Sequence, residues 1–151
     1  MALSLVGACG GDTGDGAAPR RAPTFSLEDV RRPGTPVTLP EGEPAVLNFL
    51  ASWCGPCREE LPELQRISRD VAVIGVDVAD NRGKAVELLE ATGVGFPVGY
   101  DPQREVAGAY RVNGMPTTVF IAADGTEVGR VQGPVDRATL GDWAERLGAA
   151  R

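Results

Sequence analysis

The sequence predicts an α/β fold with a mixed central sheet flanked by helices, and three patterns carry that prediction. Ala45–Ala51 and Val71–Val78 are short, continuous apolar runs, the signature of strands buried on both faces. Leu61, Leu64, Ile67 and Val71 recur at spacings of three and four, which makes one face of a helix. Near the C-terminal end, Thr117–Ala122 and Glu127–Gln132 flank Asp124-Gly125, a strong antiparallel hairpin signal. Alternating strands and helices closed by a hairpin give parallel and antiparallel neighbours in one sheet.

Taken in order, Pro23–Glu28 and Pro36–Leu39 are two short strands around the turn Arg31-Arg32-Pro33-Gly34, an N-terminal β-hairpin. Pro44 bounds the buried strand Ala45–Ala51. A helix then runs from Gly55 to about Asp70, with Pro62 expected to kink it. Val71–Val78 is a central parallel strand. Asn81 caps a helix that buries Ala85, Leu88, Leu89 and Thr92 and stops at Gly93. Phe96–Tyr100 is a short strand and Pro102–Tyr110 a short helix. Asp136 caps the last helix, whose inner face is Leu140, Trp143, Ala144 and Leu147.

A chain of 151 residues with 42% apolar residues holds one ordinary domain. The formal charge of −6, with no basic stripe, argues against nucleic acid as a partner. No run approaches the roughly 18 apolar residues of a membrane span. The N-terminus differs from the rest. Leu3-Ser4-Leu5-Val6-Gly7-Ala8-Cys9 ends a small apolar run on small residues before a cysteine, and it resembles a bacterial lipobox, with Cys9 as the lipidated residue. Residues 1–9 then form a truncated lipoprotein signal, residues 10–22 a tether of Gly, Asp, Ala and Pro, and residues 23–151 the domain. The run lacks a preceding Lys or Arg and is short for a signal segment, which a start upstream of Met1 would explain.

The most informative residues are Trp53-Cys54-Gly55-Pro56-Cys57. They lie at a strand-to-helix corner, with Cys54 at the helix N-terminus, where free N–H groups and the helix dipole favour a thiolate. That environment lowers a cysteine below its free pKa of about 8.5 and makes it reactive. Three Cys and no His exclude a four-ligand zinc site of the Cys or Cys/His type within one chain, although two chains could share a metal. A bridge across two intervening residues closes too small a loop to stabilise much through chain entropy. Redox exchange is the chemistry these thiols suit best.

Ala51-Ser52-Trp53-Cys54-Gly55-Pro56-Cys57-Arg58-Glu59-Glu60-Leu61-Pro62, together with Gly114-Met115-Pro116-Thr117-Thr118, resembles the thioredoxin-like fold. More narrowly, it resembles the TlpA/ResA-like (DsbE-type) group of extracytoplasmic thiol-disulfide oxidoreductases, across roughly residues 22–149. The helix and strand between Val78 and Tyr100 match that group's central insertion. The resemblance implies a catalytic pair in which Cys54 is the nucleophile and Cys57 the resolving thiol. It implies a cis bond between Met115 and Pro116, turning the Met115 backbone towards a substrate strand. Trp53 would shield the thiols and face partners, although simple core packing also explains it. Where thioredoxin has a buried Asp, this chain has Asn48, which cannot accept a proton. The group's Glu one helical turn after the second Cys is matched by Glu60, a proton relay or simply a solvated side chain.

The resemblance further implies exported protein thiols and disulfides as partners and no cofactor. It implies a membrane-embedded redox partner, a monomer, and a place outside the cytoplasm, held to the outer face of the membrane only by a lipid. The expected direction is reduction, for example of the haem-attachment cysteines of apocytochrome c. The alternatives are a disulfide-forming oxidase of the same fold and a non-enzymatic thiol carrier of a soft metal such as Cu(I). A peroxidase lacks support, because the Pro-x-x-x-Thr-x-x-Cys pattern is absent ahead of Cys54.

Overall fold

Residues 19–148 are described by a computed structural model. In chain order the elements are β1 (Arg20–Arg21), β2 (Leu27–Glu28), β3 (Pro36–Val37), β4 (Ala45–Leu50), α1 (Gly55–Ile67), β5 (Ala72–Val78), α2 (Arg82–Thr92), β6 (Val98–Asp101), α3 (Glu105–Ala109), β7 (Thr117–Ile121), β8 (Thr126–Gln132) and α4 (Arg137–Arg146). Six strands form one sheet in the order β1-β8-β7-β4-β5-β6, and β2 pairs with β3 separately. β5 runs parallel to β4 and β6, whereas β7 is antiparallel to β4 and to β8, so the sheet is mixed as expected.

Strand alternation assigns each side chain to a layer. Val46 and Leu50 of β4 and Val73 of β5 pack with Leu61, Leu64, Leu88, Leu89 and Leu140 of α1, α2 and α4. Leu47, Phe49, Ile74, Val76 and Val78 point the other way, to Val106, Ala107 and Tyr110 around α3. Both layers exclude water, which is why β4 and β5 are apolar at successive positions rather than alternately. The two thiols belong to the first layer.

The β2–β3 hairpin covers the exposed edge of β6. The Val30 N–H donates to the Val98 carbonyl at 2.8 Å, and the Arg31 guanidinium donates to the carbonyls of Val94 and Phe96. Blocking an edge in this way removes a template for pairing with other chains.

Several boundaries move from their expected places, each for a local reason. Arg20 and Arg21, read as tether, form β1 against β8, held by an Arg20–Glu127 ion pair and by the Arg21 guanidinium on the Asp124 carbonyl. Ser68 ends α1 early by donating its hydroxyl to the Gln65 carbonyl. Helix α1 runs without a break across Pro62, which lies on its exposed side. Pairing of β6 begins only after Pro97, which has no N–H to give. The Asp101 carboxylate accepts from the N–H groups of Glu105 and Ala107 and so starts α3 late. The caps at Asn81, Gly93 and Asp136 form as expected. The expected lipobox, Cys9 included, lies outside the described residues.

Candidate active site

β4 ends at Leu50, and the chain turns through Ala51-Ser52-Trp53 so that Cys54 becomes the N-cap of α1. Cys54 Sγ accepts the backbone N–H of Cys57 at 3.3 Å, and the two residues form a disulfide with Cα atoms 5.4 Å apart. Pro56 sits in the first turn, where its missing N–H costs nothing, and no acidic residue occupies that turn. The positive end of the helix is therefore left to the sulfur. Cys54 is 5% exposed and Cys57 is sealed at 0%. Trp53 is 59% exposed, which excludes core packing as its role, and its indole N–H donates to the Ala79 carbonyl at 3.2 Å.

A buried polar group joins β4 to α1 and β7. Asn48 donates its amide to Glu60 Oε1 at 2.7 Å and to Thr118 Oγ1 at 3.0 Å. The Val135 N–H donates to Glu60 Oε2 at 3.0 Å. Glu60 is buried rather than solvated, and burial raises its pKa to about 7 against the pull of those two donors. Met115 packs on the layer that holds both cysteines, and its bond to Pro116 is cis. The Pro116 carbonyl accepts from Gly133, and the Thr117 hydroxyl donates to the Gly114 carbonyl.

Sequence reasoning missed Ser52, Asp77 and Asp80. Asp80 accepts from the Ser52 N–H and hydroxyl, both at 2.6 Å, and from the Asn81 N–H at 2.7 Å. Asp77 lies at the end of β5, fully buried, with neither carboxyl oxygen on a donor. Burial, and next the Asp80 carboxyl, push its pKa up to about 9. A charged letter inside the run Val71–Val78 was the available signal.

A disulfide at a helix N-terminus, with its first cysteine slightly exposed and its second fully buried, is built for thiol-disulfide exchange. Residues 19–127 match the AhpC/TSA family. The chain is 36% identical over 131 residues to the thiol:disulfide interchange protein DsbE of Allochromatium vinosum, covering 83% of this chain and 71% of that one. It is 32% identical over 127 residues to the thiol-disulfide oxidoreductase ResA of Bacillus subtilis, covering 81% and 71%. The chain belongs to the AhpC/TSA family, in its DsbE- and ResA-like branch. Among solved structures, a DsbE-type interchange protein from Chlorobium tepidum superposes with a TM-score of 0.77 at 28% identity, covering 85% of this chain and 96% of that one. A secreted thiol-disulfide isomerase from Corynebacterium glutamicum shares the fold with a TM-score of 0.79 at 23% identity, covering 96% and 97%. This oxidoreductase therefore has the thioredoxin-like fold, and its Cys54–Cys57 pair has the spacing and geometry of the redox centre.

Proposed function

We propose that this oxidoreductase works as a reductant of disulfides in exported proteins, with Cys54 attacking and Cys57 resolving. The supporting observation is the asymmetry of the pair: Cys54, next to the exposed Trp53, keeps 5% of its area open to solvent, whereas Cys57 has none. In the dithiol form the Cys54 thiolate attacks one sulfur of a substrate disulfide, and the other sulfur leaves as a thiolate that takes up a proton. The Cys57 thiol then gives up its proton and attacks Cys54 Sγ. The substrate leaves as a dithiol, two electrons have moved to it, and the protein is left as the disulfide. Glu60 serves as the relay for the Cys57 proton, a task suited to a carboxyl with a pKa of about 7. Trp53, Met115 and Pro116 form the surface that meets the substrate chain.

The protein acts outside the cytoplasm, held to the outer face of the membrane by a lipid on Cys9, and receives electrons from a membrane-embedded partner. Among the described residues no helix is long and apolar enough to cross a membrane. The large hydrophobic side chains left exposed there are Trp53 and Val128, a surface that suits a monomer. Apocytochrome c, whose haem-attachment cysteines must be reduced, is the substrate class that fits best.

Acid quenching followed by thiol alkylation in the native cell tests the direction. A mostly reduced Cys54–Cys57 pair is expected; a mostly oxidised pair would make the protein a disulfide donor instead. Cys57→Ser is expected to accumulate mixed disulfides through Cys54 that dithiothreitol releases. A Cys57→Ser protein that traps no partner would overturn the assigned roles.

A further inference from the structure

Asp77 poses a problem of buried charge. It is fully buried, no N–H or O–H donor meets either of its oxygens, and a second carboxyl, Asp80, lies close enough to share a hydrogen with it. An ionised Asp77 would be unstable there, since a buried charge needs an opposite charge or a donor. Asp80, by contrast, is only half-buried and already meets the Ser52 and Asn81 donors. A proton on Asp77 resolves the difficulty, because a protonated Asp77 is itself a donor to Asp80. We propose that Asp77 and Asp80 share one proton, and that this acid pair positions the Ser52–Cys54 corner and thereby tunes the redox equilibrium of the Cys54–Cys57 pair.

The route from the pair to the thiols is short and made of named bonds. Asp80 receives the Ser52 N–H and hydroxyl, and Ser52 lies two residues before Cys54. The neighbouring Ala79 carbonyl receives the Trp53 indole. The Tyr100 hydroxyl anchors the same loop by donating to the Asp80 carbonyl at 2.9 Å. Ala79 has a φ of 49°, a region alanine seldom adopts, so the loop is held in place by its contacts. Asp77 pairs in register with Leu50, the last residue of β4 before the corner. Strand alternation puts Asp77 in the layer of Val73, which also contains Cys54 and Cys57.

Loss of the shared proton would set two negative charges against each other. Asp77 is fixed within a strand, so Asp80 is the side that moves, and it carries Ser52 with it. The other groups around the pair do not replace the proton. Arg82 is engaged by Glu28 and the Asp29 carbonyl and lies over the Tyr100 ring. Asp101 is occupied by two α3 N–H groups. From α1 the titratable groups in this layer are Cys54, Cys57 and Glu60, the last turned to Asn48 and Val135. Burial and Asp80 raise the Asp77 pKa to about 9, so the proton is retained at neutral pH and released in the alkaline range. The same contact acts the other way on Asp80, whose pKa, against its partial burial, is lowered by the Ser52, Asp77 and Asn81 hydrogen bonds, so the proton rests on Asp77 and Asp80 accepts it.

Coupling between two sites is reciprocal. If the acid pair shifts the redox equilibrium, the redox state must shift the titration of the pair. The proposal rests on Cys54–Cys57 as the exchanging thiols, and insulin reduction by the wild-type protein tests that reading separately. The first experiment uses wild-type protein: the side-chain carboxyl 13C shifts of Asp77 and Asp80 are followed from pH 4 to 10 in the oxidised and reduced forms. Asp77 and Asp80 are expected to move together in one alkaline step, at different pH in the two redox states. An Asp77 that titrates in the ordinary carboxylate range overturns the shared proton; an identical step in both states overturns the coupling.

The second experiment measures the midpoint potential from pH 7 to 10 in wild type and Asp77→Asn, whose amide can donate to Asp80 without titrating. The wild type is expected to show a change of slope at the alkaline step, and Asp77→Asn to lose it. Parallel curves overturn the proposal. If Asp77→Asn fails to fold, the wild-type comparison between redox states decides alone.

Discussion

Glu60 is the side chain in which burial and hydrogen bonding most clearly oppose each other. Asn48 and Val135 both donate to it and favour its anion, yet the loss of water wins and lifts its pKa from 4.5 to about 7. A carboxyl whose pKa rises on folding contributes stability that is complete below the unfolded value and is lost as pH rises through the folded one. For Glu60 the loss runs from about pH 4.5 to beyond pH 7 and approaches about 3 kcal/mol. Glu60→Gln removes that titration. Its amide carbonyl can still accept from Asn48, but its NH2 then meets the Val135 N–H, which costs about 1 kcal/mol at every pH. The variant is therefore expected to be the less stable protein at pH 4.5 and the more stable one at pH 8. Urea midpoints across that range measure the crossing; a difference independent of pH would show that Glu60 is not held protonated.

At the scale of elements, the fit of α4 on the sheet depends on one missing side chain. The Trp143 ring stacks on Phe120 at 4.4 Å with the planes 7° apart, and any β-carbon on Gly129, the residue paired with Phe120, would overlap that ring. Gly129→Ala is expected to destabilise the protein by about 1–3 kcal/mol, the usual cost of overpacking. In a Trp143→Ala background the same change should cost almost nothing, so a double-mutant cycle must show strong coupling. Additive effects would mean that the strand, not the ring, resists the substitution. The stacking partner was invisible in the sequence, where Trp143 reads only as a core residue. The same division runs through the molecule. Asn81, Gly93 and Asp136 were legible because a cap is made by neighbours along the chain. Cys54, Cys57 and the strand-to-helix corner were legible because spacing and periodicity define them. Strand β1 was not, since two arginines become a strand only through Glu127 and Asp124 far along the chain. The Asp77–Asp80 pair was hidden for a related reason, because a lone acid in an apolar run gains meaning only from what faces it.

For the molecule as a whole, redox state and folding stability are two sides of one cycle. Four states, folded and unfolded, oxidised and reduced, close it, so the free energy by which the disulfide stabilises the fold equals the difference in reduction free energy between the folded and unfolded chain. Each 30 mV corresponds to about 1.4 kcal/mol for this two-electron couple. The loop between Cys54 and Cys57 is too short for chain entropy to dominate, so the sign reports the site itself. The dipole of α1 and the Cys57 N–H at Cys54 Sγ favour a thiolate and thus the reduced form, whereas the sealed position of Cys57 opposes a second charge. A reductant requires the second influence to prevail, so that the folded protein is easier to oxidise than its unfolded chain. The expected result is a higher urea midpoint for the oxidised protein than for the reduced one. The range at issue is wide, since about −270 mV for thioredoxin and about −120 mV for DsbA differ by about 7 kcal/mol. A reduced form more stable than the oxidised one would mean that the fold gains free energy by giving its disulfide away, and the direction proposed here would reverse.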